Sequence, residues 1–253
     1  MTAYIGYDNA FEQSGVTITA DFTPPTGYEL ANCYDYKTHT AIKSDATGGK
    51  RIKLDAGSGN TITANYIGVV AHTLGTTANG VQLRYSDDDI TYTAHLSKTS
   101  ITVDDLIFVK GDSETHRYWE VLLDSTTTST TVGHVMFGTA LQCRPIGAGF
   151  RPPVYEHYES INAQGNAANY LGRSIKRVPQ DLRIRQQGID PADFRTDWVP
   201  FLEHAAQKPF FFCWDYENYS DEAVYCWTEK PQQPSYAQLC HMAIDLSVKA
   251  IKA

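Results

Sequence analysis

Cys213, Cys226, Cys240 and His241 have the residue types of a Cys₃His zinc set. Their wide spacing is the difficulty, because structural zinc usually takes close ligand pairs from turns. Each cysteine also sits inside an apolar run, where a free thiol packs as a small hydrophobe. Asp87, Asp88 and Asp89 offer the oxygens that calcium prefers. The same three residues suit a solvated hairpin end, and both readings stay open. Asp215, Glu217, Asp221 and Glu222 invite the acid and base roles of a glycosidase, although a surface turn carries the same residues. No G-x-S-x-G elbow, phosphate loop or dinucleotide fingerprint is present. The chain is therefore not read as an enzyme, and no cofactor, metal or catalytic residue is expected.

The stretch KPFFFCWDYENYSDEAVYCW, residues 208–227, concentrates aromatic side chains around those acids. Tyr and Trp there suit sugar stacking, but they are also the residues that dominate protein interfaces. Among 253 residues, 29 acidic side chains outnumber 21 basic ones, for a net charge of −8. Gripping a phosphate backbone needs clustered cations, so no specific nucleic-acid binding is expected. Residues 1–15 lack a basic start and an apolar core, and no run nears the roughly 18 apolar residues of a membrane span. No signal peptide or membrane insertion is expected. Five cysteines without a C-x-x-C pair suggest reduced thiols.

These residues need a frame. NYIGVVAHTL, GVQLRYS, TYTAHL, DLIFVK, HRYWEVLL and GHVMFG read as short strands, with no helical stretch among them. In HRYWEVLL, Arg117, Trp119, Val121 and Leu123 share one face. Such spacing predicts an antiparallel sandwich over 1–143. The segment 144–169 carries Pro145, Pro152 and Pro153 with several glycines, and reads as a linker or arm. A second β domain follows over 170–253, so the fold class is mainly β. GRSIKRV and DLRIRQQ are expected as strands turning at Pro179. One short helix is expected at about 190–206, with Asp190 as N-cap and Pro191 in its first turn. Pro200 should kink or divide it. Met242, Ile244, Leu246 and Val248 predict a half-buried last strand.

Two stretches together resemble a known family. YIGVVAHTLGTTANGVQLRYSDDDITY and HRYWEVLLDSTTTSTTVGHVMFGTAL are similar to the galactose-binding-like (discoidin-type) jelly-roll sandwich of bacteriophage and prophage tail proteins. The shared features are Ala71–Leu74, the turn at Ser86–Asp89, Arg117-Tyr118-Trp119 and Gly133–Gly138. DWVPFLEHAAQKPFFFCWDYENYSDEAVYCW, with the last strand, resembles the carboxy-terminal half of minor or distal tail (baseplate) proteins. The resemblance implies a structural virion protein at the tail tip, made in a host bacterial cytoplasm and forming a ring or adaptor. Its partners would be further copies of itself and tail tube, hub and fibre proteins. The family supplies no catalytic residue to carry over. The alternative is a glycan-binding module for host-surface attachment. Tyr155 and Tyr158 in the arm, and Trp214, Tyr216 and Tyr219 at the aromatic turn, are the expected interface residues.

Overall fold

The computed structural model describes residues 2–44, 48–78, 80–126, 128–147, 149–164, 166, 169–230, 233–236 and 241–252. Its strands are β1 (Ala3–Gly6), β2 (Thr17–Ala20), β3 (Ile42–Lys43), β4 (Gly48–Asp55), β5 (Ile62–His72) and β6 (Gly80–Ser86). There follow β7 (Thr93–Thr99), β8 (Ile107–His116), β9 (Tyr118–Thr126), β10 (Thr131–Gly138), β11 (Ala140–Cys143) and β12 (Tyr158–Gln164). The last six are β13 (Tyr170–Arg177), β14 (Gln180–Ile189), β15 (Phe210–Cys213), β16 (Val224–Thr228), β17 (Ser235–Tyr236) and β18 (Met242–Ile251).

The expected sandwich is present. An outer sheet, β2-β4-β9-β6-β7, faces a middle sheet, β3-β10-β5-β8, and the pairings are antiparallel. Alternation builds the core between them: Trp119, Val121 and Leu123 from β9 meet Ile67 and Val69 from β5 and Val135 and Phe137 from β10. The Trp119 indole donates to the Ile62 carbonyl at 3.1 Å, so its one polar atom is satisfied at full burial. Strand β5 is buried along nearly its whole length. A strand reads as a continuous apolar run when both of its faces are covered, and the second cover here is a third sheet.

That third sheet runs β11-β1-β15-β16-β18-β14, with β17 on β18. Residues on both sides of the expected boundary at 143 thus share one sheet: Tyr4 pairs with Cys213 and Ile5 with Leu141. A four-residue strand carries too little periodicity to announce a partner at the far end of the chain. Tyr4, Phe211 and Tyr225 of the third sheet pack on Tyr66, Phe108 and Met136 of the middle sheet. Contact is close enough to dictate glycine at two positions. A Cβ on Gly68 would lie 2.5 Å from the Phe211 ring, and one on Gly6 would lie 2.5 Å from Tyr66. The opposite face of the third sheet buries Ile5, Phe212, Ile184 and Leu246 against Phe194, Trp198 and Phe201 of the helical segment.

That segment begins where expected: the Asp190 side chain accepts from the Ala192 amide, and Pro191 stands in the first turn. Near Pro200 the segment is interrupted: α-helical residues Pro191–Asp193 and Val199–Ala205 flank a π turn. A wide π turn, Phe194–Trp198, precedes the proline, with the Val199 amide bonded to the Phe194 carbonyl. A wider turn accommodates the carbonyls that a proline cannot serve.

The strands flanking Pro179 do not pair with each other. β13 pairs with β12 as a separate two-stranded ribbon, whereas β14 pairs with β18. The later part of the expected linker is therefore strand, hidden from pattern reading because every described residue of β12 is exposed. No helix among the described residues is long and apolar enough to cross a membrane.

Candidate functional site

The zinc set is not assembled. Cys213 lies in the layer against the middle sheet, and Cys226 lies on the opposite face of the third sheet. Burial pushes the Cys213 thiol up to about 12 and raises Cys226 as well, so both are kept protonated. Cys240 falls outside the described residues. Among those described, no group of three His, Cys, Asp or Glu residues could hold a metal ion.

The acidic candidates are each engaged elsewhere. Asp88 closes its own turn, accepting from the Ile90 and Thr91 amides at 2.9 and 2.8 Å, and these bonds hold its carboxyl down at about 2. Asp89 takes Lys53 and the Tyr92 hydroxyl, while Asp87 takes His116. Three carboxylates aimed at three different partners do not form a calcium cage. In the aromatic turn, Asp215 is buried and accepts from Asn218 at 2.9 Å. Glu217 accepts from Thr2, and Glu222 from the Trp214 indole at 2.7 Å. These acids shape the turn.

A groove of about 760 Å³ opens where the chain leaves β11 and runs past β14. Gln186, fully buried, accepts from the Arg144 amide at 2.9 Å and donates to its carbonyl at 3.1 Å, clipping the segment to the strand. Arg144, Phe150 and Arg151 form one wall, and Arg183, Arg185 and Gln187 the other. Strand alternation explains the second wall: Leu182, Ile184 and Gln186 point into the core, so Arg183, Arg185 and Gln187 must point out. Arg183 clamps Asp245 with Nε at 2.6 Å, and Arg185 reaches the same carboxylate at 3.2 Å. Hydrogen bonds from Arg183 hold Asp245 below the usual carboxylate range. Lys249 pairs with Asp181 at 2.8 Å.

Aromatic rings continue from the groove. Phe150 lies 5.9 Å from Trp214, which stacks on Tyr219 at 5.3 Å with an interplanar angle of 12°. Tyr219 is 48% exposed, so its outer face is open to solvent. Glu222 fixes the indole from below through its hydrogen bond.

No protein-family model matches this chain, and no curated protein matches it. Among solved structures, it is similar to the CBM32-5 module from Clostridium perfringens in complex with GalNAc-beta-1,3-galactose. That likeness has 13% identity and a TM-score of 0.42, over 49% of this chain and 95% of the module. It is similar to CBM32-1 from a family 31 glycoside hydrolase of Clostridium perfringens, at 11% identity and TM-score 0.41, over 50% of this chain and 95% of that one. A GH29 fucosidase from Ruminococcus gnavus in complex with fucose resembles it at 12% identity and TM-score 0.45, over 53% of this chain but 27% of the fucosidase.

The expected interface residues separate into three groups. Tyr155 and Tyr158 are 70% and 52% exposed at the foot of the ribbon. Trp214 and Tyr219 follow on from Phe150 of the groove wall through ring contacts. Tyr216 turns inward instead: its hydroxyl accepts from the Lys110 amide and donates to the Lys110 carbonyl, both at 2.9 Å. It also meets Tyr4 and Phe108 edge-on, so it joins the third sheet to the middle one. Sequence reading missed Arg144, Phe150, Arg151, Arg183 and Arg185. The alternation of DLRIRQQ shows that two arginines share a face, but nothing local shows what lies opposite them.

Proposed function

We propose that the chain is a glycan-binding protein of the surface-attachment kind, with no chemical step of its own. The observation that carries this is the continuous line of Phe150, Trp214 and Tyr219 beside an open groove lined by guanidinium and amide donors. Sugar rings offer apolar C–H faces that pack on aromatic planes and hydroxyls that take hydrogen bonds, and the two kinds of surface adjoin here. The carboxylates nearby are committed to structure, which leaves the groove suited to binding. Titrating oligosaccharides against the tryptophan fluorescence of the purified protein tests this. Tyr219→Ala, an exposed change, is expected to weaken binding about 3- to 10-fold, as loss of one aromatic contact does. A protein that takes up no saccharide from a broad panel, neutral and acidic, is not a glycan binder.

One observation favours a second reading, a structural subunit of a phage tail tip or baseplate that assembles as a ring in the virion. The ribbon β12–β13 presents Ile161, Tyr170, Leu171 and Ile175 to solvent at 60–75% exposure. A lone two-stranded ribbon is marginal in water, so a covering partner would stabilise it. On this reading, light scattering finds oligomers, and limited proteolysis cuts within 150–177 in the monomer but not in the assembly. A strict monomer at high concentration would count against it.

A further inference from the structure

The arginine groove carries more charge than a neutral sugar requires. Four arginines, Arg144, Arg151, Arg183 and Arg185, line it with one carboxylate, Asp181, and a second, Asp245, is shared by Arg183 and Arg185. Two positive charges are therefore in excess at one place on a chain whose net charge is −8. Both carboxylates are already committed. Arg183 and Arg185 share Asp245, and Lys249 holds Asp181.

Sharing one carboxylate fixes the two arginines without exhausting them. A guanidinium has five N–H donors in a rigid fork, and Arg183 commits two hydrogen-bonding nitrogens while Arg185 commits one. Standing two residues apart on a strand, roughly 7 Å, they present a spaced pair of cations. On the opposite wall Arg144 and Arg151 are exposed and make no ion pair among the described residues. The backbone of Arg144 is nevertheless held by Gln186. Glycine at 188 lets the guanidinium lie close, since a Cβ there would be 3.1 Å from Arg144 Nη1. Planar forks set on two walls match carboxylate or sulfate groups displayed along a chain.

We infer that this groove selects an acidic saccharide, one bearing carboxylate or sulfate groups along its chain, with Arg144 and Arg151 as the selecting residues and Phe150 packing on a sugar ring. The inference rests on the glycan-binding reading and narrows it. The anionic groups lie between the two arginine walls. Neutral glycans keep the aromatic contacts and hydroxyl hydrogen bonds but gain no charge pairing.

The test is calorimetric titration of the full chain with oligogalacturonate, with its methyl-esterified neutral counterpart, with a sulfated dextran oligosaccharide and with inorganic polyphosphate, each at about 50 and 300 mM salt. The acidic saccharides are expected to bind at least about tenfold more tightly than the neutral one and to weaken as salt rises. The two acidic arms show whether carboxylate or sulfate fits better. Arg144→Gln with Arg151→Gln should erase that preference by weakening acidic binding far more than neutral binding, and should leave thermal stability unchanged, because neither side chain makes an ion pair that holds the fold together. Equal binding of the acidic and neutral forms, or an unchanged preference in the double variant, overturns the acidic selection while the glycan-binding reading stands. Polyphosphate binding as tight as the acidic saccharides makes the groove a plain anion site and overturns the inference. If no saccharide binds, the broader reading fails first.

Discussion

Phe211→Ala is expected to cost about 3–5 kcal/mol of stability, the range for emptying a fully buried aromatic site. Phe211 is completely buried and lies between two sheets, with Tyr225 at 5.1 Å and Phe108 at 6.3 Å between ring centres. The cavity cannot collapse easily, because each sheet is held flat by its own ladder. Gly68 reads the same contact from the other side. Gly68→Ala should also destabilise, by about 1–3 kcal/mol, since the added methyl meets a ring with no room to retreat. Urea unfolding of both variants checks this. A loss under about 1 kcal/mol in Phe211→Ala would mean that the third sheet does not stack on the sandwich in solution.

Acid should destabilise the protein through its buried histidines. His134 is fully buried among Tyr36, Phe211 and Tyr225, and burial lowers its pKa to about 4. Its Nδ1 accepts from the Tyr36 amide, so the neutral ring is the form that fits. The unfolded chain binds a proton near pH 6.5 and the folded chain only near 4. The unfolded state is therefore favoured progressively as pH falls through that window, and the stability is fully present above it. At about 1.4 kcal/mol per unit, the loss from this one residue is about 2 kcal/mol between pH 6.5 and 5. His72 and His204, lowered mainly by burial, act in the same direction. Replacing His134 with Phe should flatten the slope in that window without abolishing it. Asp88, held at about 2 by its turn, contributes only at lower pH and does not confuse the reading. An unaltered slope in the variant would show that His134 is solvated in the folded protein.

Periodic features were legible in the residues. Trp119, Val121 and Leu123 mark the inward face of β9, and Met242, Ile244, Leu246 and Val248 do the same for β18. The Asp190–Pro191 start needs only local chemistry. What stayed hidden depends on pairing across distance. Tyr216 has the composition of a surface turn, yet it points inward because Lys110 offers both a donor and an acceptor. The ribbon has no buried face, so β12 leaves no apolar rhythm. The groove is hidden for the same reason: Arg144 and Arg183 line one groove because Gln186 ties the segment after β11 to β14.

The placement of β1 has a consequence for how the chain is made. Ala3–Gly6 is synthesised before either of its sheet partners, and one edge can pair with β11 once the sandwich is made. Its other edge waits for Phe211–Cys213, which follow the whole sandwich and the ribbon. Until then the sandwich holds a half-made sheet, with Tyr66 and Phe108 of its middle layer uncovered, and such surfaces invite association while they last. Closure of the third sheet is therefore the late, slow step, because its contacts span nearly the whole chain. A ribosome stalled before residue 210 would present a nascent protein that has a finished sandwich and is still adhesive.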